Sequence, residues 1–459
     1  MEWIADHLAV IMFCVLTFIM FIGYPVAFVL GAVGIFFGWL GIYFGLFSPV
    51  QFANLLPRIY GSAVENQVLV AVPMFIFMGV ILERSGVAEE LLRCLQVIFR
   101  RIPGGLALAV VLLGTIMAAT TGIVGASVVM LTLIALPVML DRGYSKELSV
   151  GTIAASGTLG ILIPPSIMLV IVGDLMNISV GLLFAAAVIP GLMLSSLYVI
   201  YIIVYSYFNP RAAPPLGAHE GPQNIGELVK MIVFSFAPPA FLIVLVLGSI
   251  FGGWATPTEA AGVGCLGALL LALRAGRLNL KTLNEMIYSA GLTNGLVFFI
   301  IFGATLFSYV FRALGGDDIV LEVLNKLGIN TGWEVLAFVM ILVFIMGFFF
   351  DFLEICLVVL PVFSPILAKA DFGTFVQGSK NILLWYAMLL AVNLQSAFLT
   401  PPFGFALFYM KGTVPPSVTM AHIYRGIIPF VCLQVLAVVI CMLFPDLIFY
   451  LPRVWGLMD

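Results

Sequence analysis

The sequence predicts an all-α polytopic membrane protein made of two inverted repeats, with about ten transmembrane helices and two opposed re-entrant helical hairpins. Three observations carry that expectation. Of the 459 residues 63% are hydrophobic and only 9% charged, with mean hydropathy +1.22, which is more apolar surface than a soluble globule can bury. Two Pro-Pro pairs, in LIPPS at 162–166 and LTPPF at 399–403, interrupt long apolar runs. Each should break a helix, because proline lacks an N–H and its ring clashes with the preceding turn. The surroundings of the two pairs also resemble each other, at a spacing of 401 − 164 = 237 residues.

Each element follows from local pattern. Spans are expected near 8–22, 25–46, 66–83, 147–176, 181–207, 231–251, 257–273, 290–311, 381–410 and 429–448, since about 20 apolar residues cross a bilayer and broken or shielded helices can be shorter. Two further apolar pairs, 104–140 and 333–368, turn at TTGIVGAS (120–127) and FFFDFLE (348–354). The first turn is too small and uncharged for a loop in water, so both pairs read as hairpins that enter and leave on one side. The N-terminus, MEWIADHLAV, opens with acids rather than a basic signal region, so its apolar run is expected to stay in the membrane.

The repeat extends beyond the prolines. LIALPVML (133–140) resembles CLVVLPVF (356–363), and YPVAFVLGAVG (24–34) resembles TPTEAAGVGCLG (256–267). The expected organisation is a first repeat over 1–210, holding the 104–140 hairpin and the 147–176 broken helix, a cytoplasmic linker over 211–230, and a second repeat over 231–459. The second holds the 333–368 hairpin and the 381–410 broken helix. Five spans per half invert the second half relative to the first, and paired interrupted helices point to a secondary-transporter site. With the N-terminus outside, 13 of the 19 basic residues fall in the cytoplasm and 6 outside.

Other classes find little support. A net charge of −3 without a basic patch offers nothing to nucleic acid, the six cysteines and three histidines lack metal-ligand or disulfide spacing, and no GxxxxGK[ST] loop is present for ATP. The cysteines read as small apolar packing residues.

Unwound backbone at membrane depth must be buried in protein or line a cavity. Polar residues precede both breaks in corresponding positions, Ser156 opposite Asn393 and Thr158 opposite Gln395. Hydroxyl, amide and freed carbonyl oxygens suit Na⁺, and a new helix start suits a carboxylate. The first hairpin tip offers the hydroxyls of Thr120, Thr121 and Ser127 and two glycines, Gly122 and Gly125, where backbone can approach an ion. The second offers Asp351 and Glu354 on one helical face. Asp174 and Asn177 are expected near the external interface. In GGWATPTEAAG, Thr256, Pro257 and Glu259 read as an N-cap, a first-turn proline and a capping box.

These residues resemble the large membrane subunit of the TRAP (tripartite ATP-independent periplasmic) transporters. The resemblance is carried by GYPVAFVLG (23–31), VPMFIFMG (72–79), the GxLGxLIPPS pattern at 157–166, TPTEA (256–260), FFDF (349–352) and LTPPFG (399–404). It implies an elevator-type carrier in the bacterial cytoplasmic (inner) membrane that takes an organic acid from a periplasmic substrate-binding protein, drives uptake with Na⁺, and works with a small four-helix membrane subunit. Both partners are expected as separate chains, and no organic cofactor is expected. Carried over by position, the expected Na⁺ ligands come from Gly122, Gly125, Ser156, Gly157, Gly160, Pro164, Asn393, Ser396 and Pro401. Substrate contacts are expected from Thr120, Thr121, Ser127, Ser166, Asp351, Gln395 and Thr400. Ser127 is followed by Val128, Val129 and Met130, where many members of that family carry a polar or acidic residue. The nearest alternative is a stand-alone sodium/organic-anion symporter that needs no binding protein. A channel, or an intramembrane hydrolase using Asp351, fits less of the pattern, and no enzyme activity is expected.

Overall fold

The computed structural model describes residues 7–121, 124–215, 224–401 and 404–458, and among these every regular element is helical. Among the described residues seven helices are each long and apolar enough to cross a membrane, and an eighth candidate is a pair bent by 61°. The chain is a multi-pass helical membrane protein.

The helices sort into two packed groups. The first is built around α1 (Leu8–Phe21), α2 (Val26–Tyr43), α5 (Ala71–Arg84), α13 (Ala237–Phe251), α14 (Pro257–Arg274) and α15 (Leu280–Ala313), with two short helices, α3 (Pro49–Ala53) and α4 (Leu55–Ile59), on its edge. Its closest crossing is α2 on α15, and glycine makes it possible. A methyl on Gly303 would lie 2.5 Å from the Ala27 carbonyl oxygen, and one on Gly34 would lie 3.1 Å from the Leu306 backbone. Small residues let backbones approach where lipid supplies no hydrophobic drive between helices.

The second group holds both hairpin-like pairs and both interrupted helices. In chain order these are α7 (Gly105–Thr121) with α8 (Val124–Asp141), α9 (Lys146–Thr158) with α10 (Ile167–Met176), and α11 (Val180–Phe208). Further on come α17 (Gly332–Met346) with α18 (Phe352–Ala368), α19 (Ser379–Leu399) with α20 (Phe405–Thr413), and α21 (Met420–Leu443). Here α9 meets α21 glycine to glycine, with Gly151 against the Gly426 carbonyl and Gly426 against that of Glu147. The remaining helices are α6 (Val87–Phe99), α12 (Ile225–Met231), α16 (Gly316–Lys326) and α22 (Asp446–Val454).

Several boundaries differ from expectation for local reasons. The span expected from 290 begins at Leu280, because Asn279 and Thr282 form a capping box ahead of three polar-containing turns. The span expected from 429 begins at Met420, with Thr419 and His422 closing its first turn, and Pro429 lies inside it. The run expected over 66–83 ends by bending into amphipathic α6 at Gly86, whose φ of 75° favours glycine. Gly315, at φ 77°, starts amphipathic α16 in the same way. All six cysteines are free.

Candidate functional site

Both diprolines interrupt a buried helix. In the first, α9 ends at Thr158, a tight turn covers Leu159–Ile161, and α10 begins at Ile167. Every residue of 148–173 is buried, so the freed backbone is sealed inside protein as the bilayer requires. The Pro164–Pro165 peptide bond is cis. The Ser166 hydroxyl closes the turn by donating to the Ile161 carbonyl at 2.6 Å. Upstream, Ser156 donates to the Thr152 carbonyl at 2.7 Å and Thr158 to that of Ala155 at 2.9 Å, which leaves both hydroxyl oxygens able to accept or to ligate. Gly160 lies in the tight turn itself.

In the second break, α19 ends at Leu399 and α20 begins at Phe405. Thr400 donates to the Ser396 carbonyl at 2.7 Å, and Ser396 donates to that of Asn393 at 2.7 Å. Gly404 restarts the chain at φ 51°. Asn393 ties this helix to α17 by donating to the Met340 carbonyl at 2.8 Å. Gln395 is wholly buried, and its Oε1 has no hydrogen-bond partner among the described residues. Such an oxygen is costly unless something else satisfies it. Here the surroundings are more open: Thr400 is half-buried and Pro401 exposed.

Each hairpin-like pair sits on its own half's interrupted helix through a glycine. A side chain on Gly157 would collide with Val128 of α8, and one on Gly347, at the turn between α17 and α18, would collide with Ala397 of α19. Each pair also reaches across. Helix α8 packs on α20, where a methyl on Gly125 would lie 2.9 Å from the Tyr409 ring, and α18 packs on α10. Tyr409 therefore lies against the start of α8.

The structure therefore brings Ser156, Gly157, Gly160, Pro164 and Ser166 together at the first break, and Asn393, Gln395, Ser396, Thr400 and Pro401 at the second. Ser127 is buried and Gly125 lies at the start of α8. The side chains of Thr120 and Thr121 and all of Gly122 lie outside the described residues. Asp351 is a capping residue, its carboxylate holding the start of α18 by accepting from Phe352 N–H at 2.8 Å, while Glu354 accepts from Asp351 N–H at 3.2 Å. The Thr256–Glu259 capping box is present as read from sequence, and Thr258 also donates to the Gln67 carbonyl at 3.2 Å. Sequence reading missed Tyr409, for which an aromatic in an apolar helix gives no signal. Among the described residues no group of three or more His, Cys, Asp or Glu could hold a metal ion.

Residues 13–447 match the family described as tripartite ATP-independent periplasmic transporter, DctM component. The chain is 29% identical over 413 residues to the C4-dicarboxylate TRAP transporter large permease protein DctM of Pseudomonas aeruginosa, covering 90% of this chain and 92% of that one. It is also 29% identical over 444 residues to the ectoine TRAP transporter large permease protein TeaC of Halomonas elongata, covering 96% and 98%. Among solved structures, the YdaH transporter of Alcanivorax borkumensis has a similar fold, with a TM-score of 0.60 over 89% of each chain at 16% identity. With the family match running through both breaks and both hairpin-like pairs, the chain belongs to the DctM family, the large permease component of the tripartite ATP-independent periplasmic transporters.

Proposed function

We propose that this permease carries out sodium-coupled uptake of a small organic acid that a periplasmic binding protein delivers, in the bacterial cytoplasmic (inner) membrane and together with a small four-helix membrane subunit. The observation that carries this reading is the pair of buried helix breaks, each surrounded by oxygen atoms with spare lone pairs. Gln395 Oε1 is the clearest of them, a buried acceptor with no partner among the described residues. A desolvated Na⁺ satisfies such oxygens and offsets the charge of a carboxylate bound nearby. The two relatives named above are named for a C4-dicarboxylate and for ectoine, both of which carry a carboxylate.

An inverted repeat is supported by element order. In each half an amphipathic helix that starts at a left-handed glycine (α6, α16) precedes a hairpin-like pair, and an interrupted helix follows. We read the first helix group as a stationary scaffold and the second as the body that slides. Two polar contacts across the seam would have to break for that motion: Asn66 Nδ2 to Asp174 Oδ1 at 2.6 Å, and Arg312 Nη2 to the Pro361 carbonyl at 2.6 Å. Sodium would order the tips and the unwound segments so that the acid binds one facing state better than the other, without which no net movement results.

The test is uptake of labelled organic acids into proteoliposomes holding this chain with its small membrane partner, with and without the binding protein. Uptake that needs the binding protein supports the tripartite reading. Equal uptake without it supports a stand-alone symporter instead.

A further inference from the structure

Where the two helix groups meet, the structure holds a cavity of about 480 Å³, within the ~300–1,000 Å³ typical of ligand sites. Its scaffold wall carries Arg58, Ser62, Thr305, Tyr309 and Arg312, and its other wall carries Asp174 at the end of α10. The two guanidinium groups are not equivalent. Arg312 is engaged, donating to the Pro361 carbonyl at 2.6 Å and lying 3.8 Å from Asp317 Oδ2. The Arg58 guanidinium carbon lies over the Tyr309 ring, 4.8 Å from its centroid. Among the described residues no hydrogen bond or ion pair takes up the Arg58 N–H groups.

At the other wall Asp174 accepts from Asn66 through Oδ1 at 2.6 Å, and no ion pair joins it to Arg58. The hydroxyls of Ser62 and Thr305, 3.3 Å apart, add polar groups to the scaffold wall. A free guanidinium fork binds a carboxylate through two parallel hydrogen bonds, whereas an ionised carboxylate accepts donors and repels a second anion. The positive-inside bias sharpens the point. Arg58 and Arg312 are two of the six basic residues that the proposed orientation leaves outside, where charge placement alone gives no reason for them.

We infer that this seam cavity is a recognition site for a monocarboxylate that bears hydroxyl or cationic N–H donors away from the carboxylate. Arg58 takes the carboxylate and Asp174 takes the donors. The inference rests on the carboxylate reading proposed above and narrows it, separating such acids from simple dicarboxylates. The site is distinct from the two helix breaks, so its occupancy does not require sodium.

The experiment is equilibrium binding of labelled gluconate, ectoine and succinate to the purified permease with its small partner in sodium-free buffer. At least one of gluconate and ectoine should bind tenfold or more tightly than succinate. Arg58→Gln should weaken that binding at least tenfold, and Asp174→Asn should shrink the preference over succinate to less than threefold. Asn66→Ala, which removes the hydrogen bond and keeps the charge, should leave the preference in place. The inference is overturned by tighter binding of succinate, by binding of none of the three, by binding that appears only with sodium, by an unaffected Arg58→Gln variant, or by Asn66→Ala acting like Asp174→Asn. Because no sodium gradient is involved, failure of this assay and failure of sodium-driven uptake are separate results.

Discussion

The two interrupted helices meet the same physical demand with different chemistry. The first is closed by short hydroxyl side chains, with Ser156, Thr158 and Ser166 all donating to local carbonyls, and is buried without a gap over 148–173. The second also has hydroxyls that donate to local carbonyls, from Ser396 and Thr400, and adds two buried amides. Asn393 reaches across to α17, Gln395 keeps an oxygen unpaired, and the chain emerges through half-buried Thr400 and exposed Pro401. The contrast extends to the tips: Gly125 lets Tyr409 lie close beside the first, whereas the second is bulky, with Phe349 and Phe350 in its turn and a collision-tight contact from Gly347 to Ala397. The two breaks thus differ as a sealed one and an accessible one. In the transport reading, the accessible break is where ligands exchange in this conformation.

The largest expected effect probes the packed member. Gly157→Ile drives a branched side chain into Val128 and the backbone behind it, so sodium-driven uptake should fall more than 100-fold while the amount of protein in the membrane stays unchanged. Wild-type uptake by this variant would show that the first break does not need its hairpin seated. Next, the amide and hydroxyl at corresponding positions should differ. Gln395→Leu removes the unpaired buried oxygen and should raise the sodium concentration for half-maximal uptake about tenfold, equivalent to ~1.4 kcal/mol. Thr158→Val, whose hydroxyl already donates within its own helix, should raise it about threefold, or ~0.7 kcal/mol. The reverse order would invert the comparison. The third effect concerns access alone. In a background lacking the exposed Cys14 and Cys432, Thr400→Cys should react with a small maleimide at least tenfold faster than Ser166→Cys. Equal rates would remove the distinction between open and sealed.

The prolines made much of this architecture legible. Two diprolines with matching neighbours located both breaks, whereas Pro238–Pro239 sits at the start of α13 inside an unbroken span, and the turn between α17 and α18 fell within FFFDFLE. Amphipathic α6 and α16 were not found, because Glu89, Glu90, Asp317 and Asp318 dilute the hydropathy of runs whose apolar residues lie on one face only. The first three turns of α15 escaped for the same reason, since Lys281, Asn284 and Glu285 precede its apolar stretch. Asp351 drew attention as an ionisable residue at membrane depth. Its capping role follows from the three-residue spacing to Glu354, the same spacing that identified Thr256 and Glu259. The seam cavity was out of reach of sequence, because Arg58 and Asp174 are more than a hundred residues apart and tertiary packing alone places them on one cavity.

Binding of the driving ion at the two breaks is tested by initial uptake of a labelled organic acid as a function of external sodium. Proteoliposomes holding the permease, its small partner and the binding protein should show uptake that rises more steeply than first order in sodium and that potassium does not sustain. Uptake at the same rate in potassium, with or without an imposed sodium gradient, would mean that the breaks bind no driving sodium.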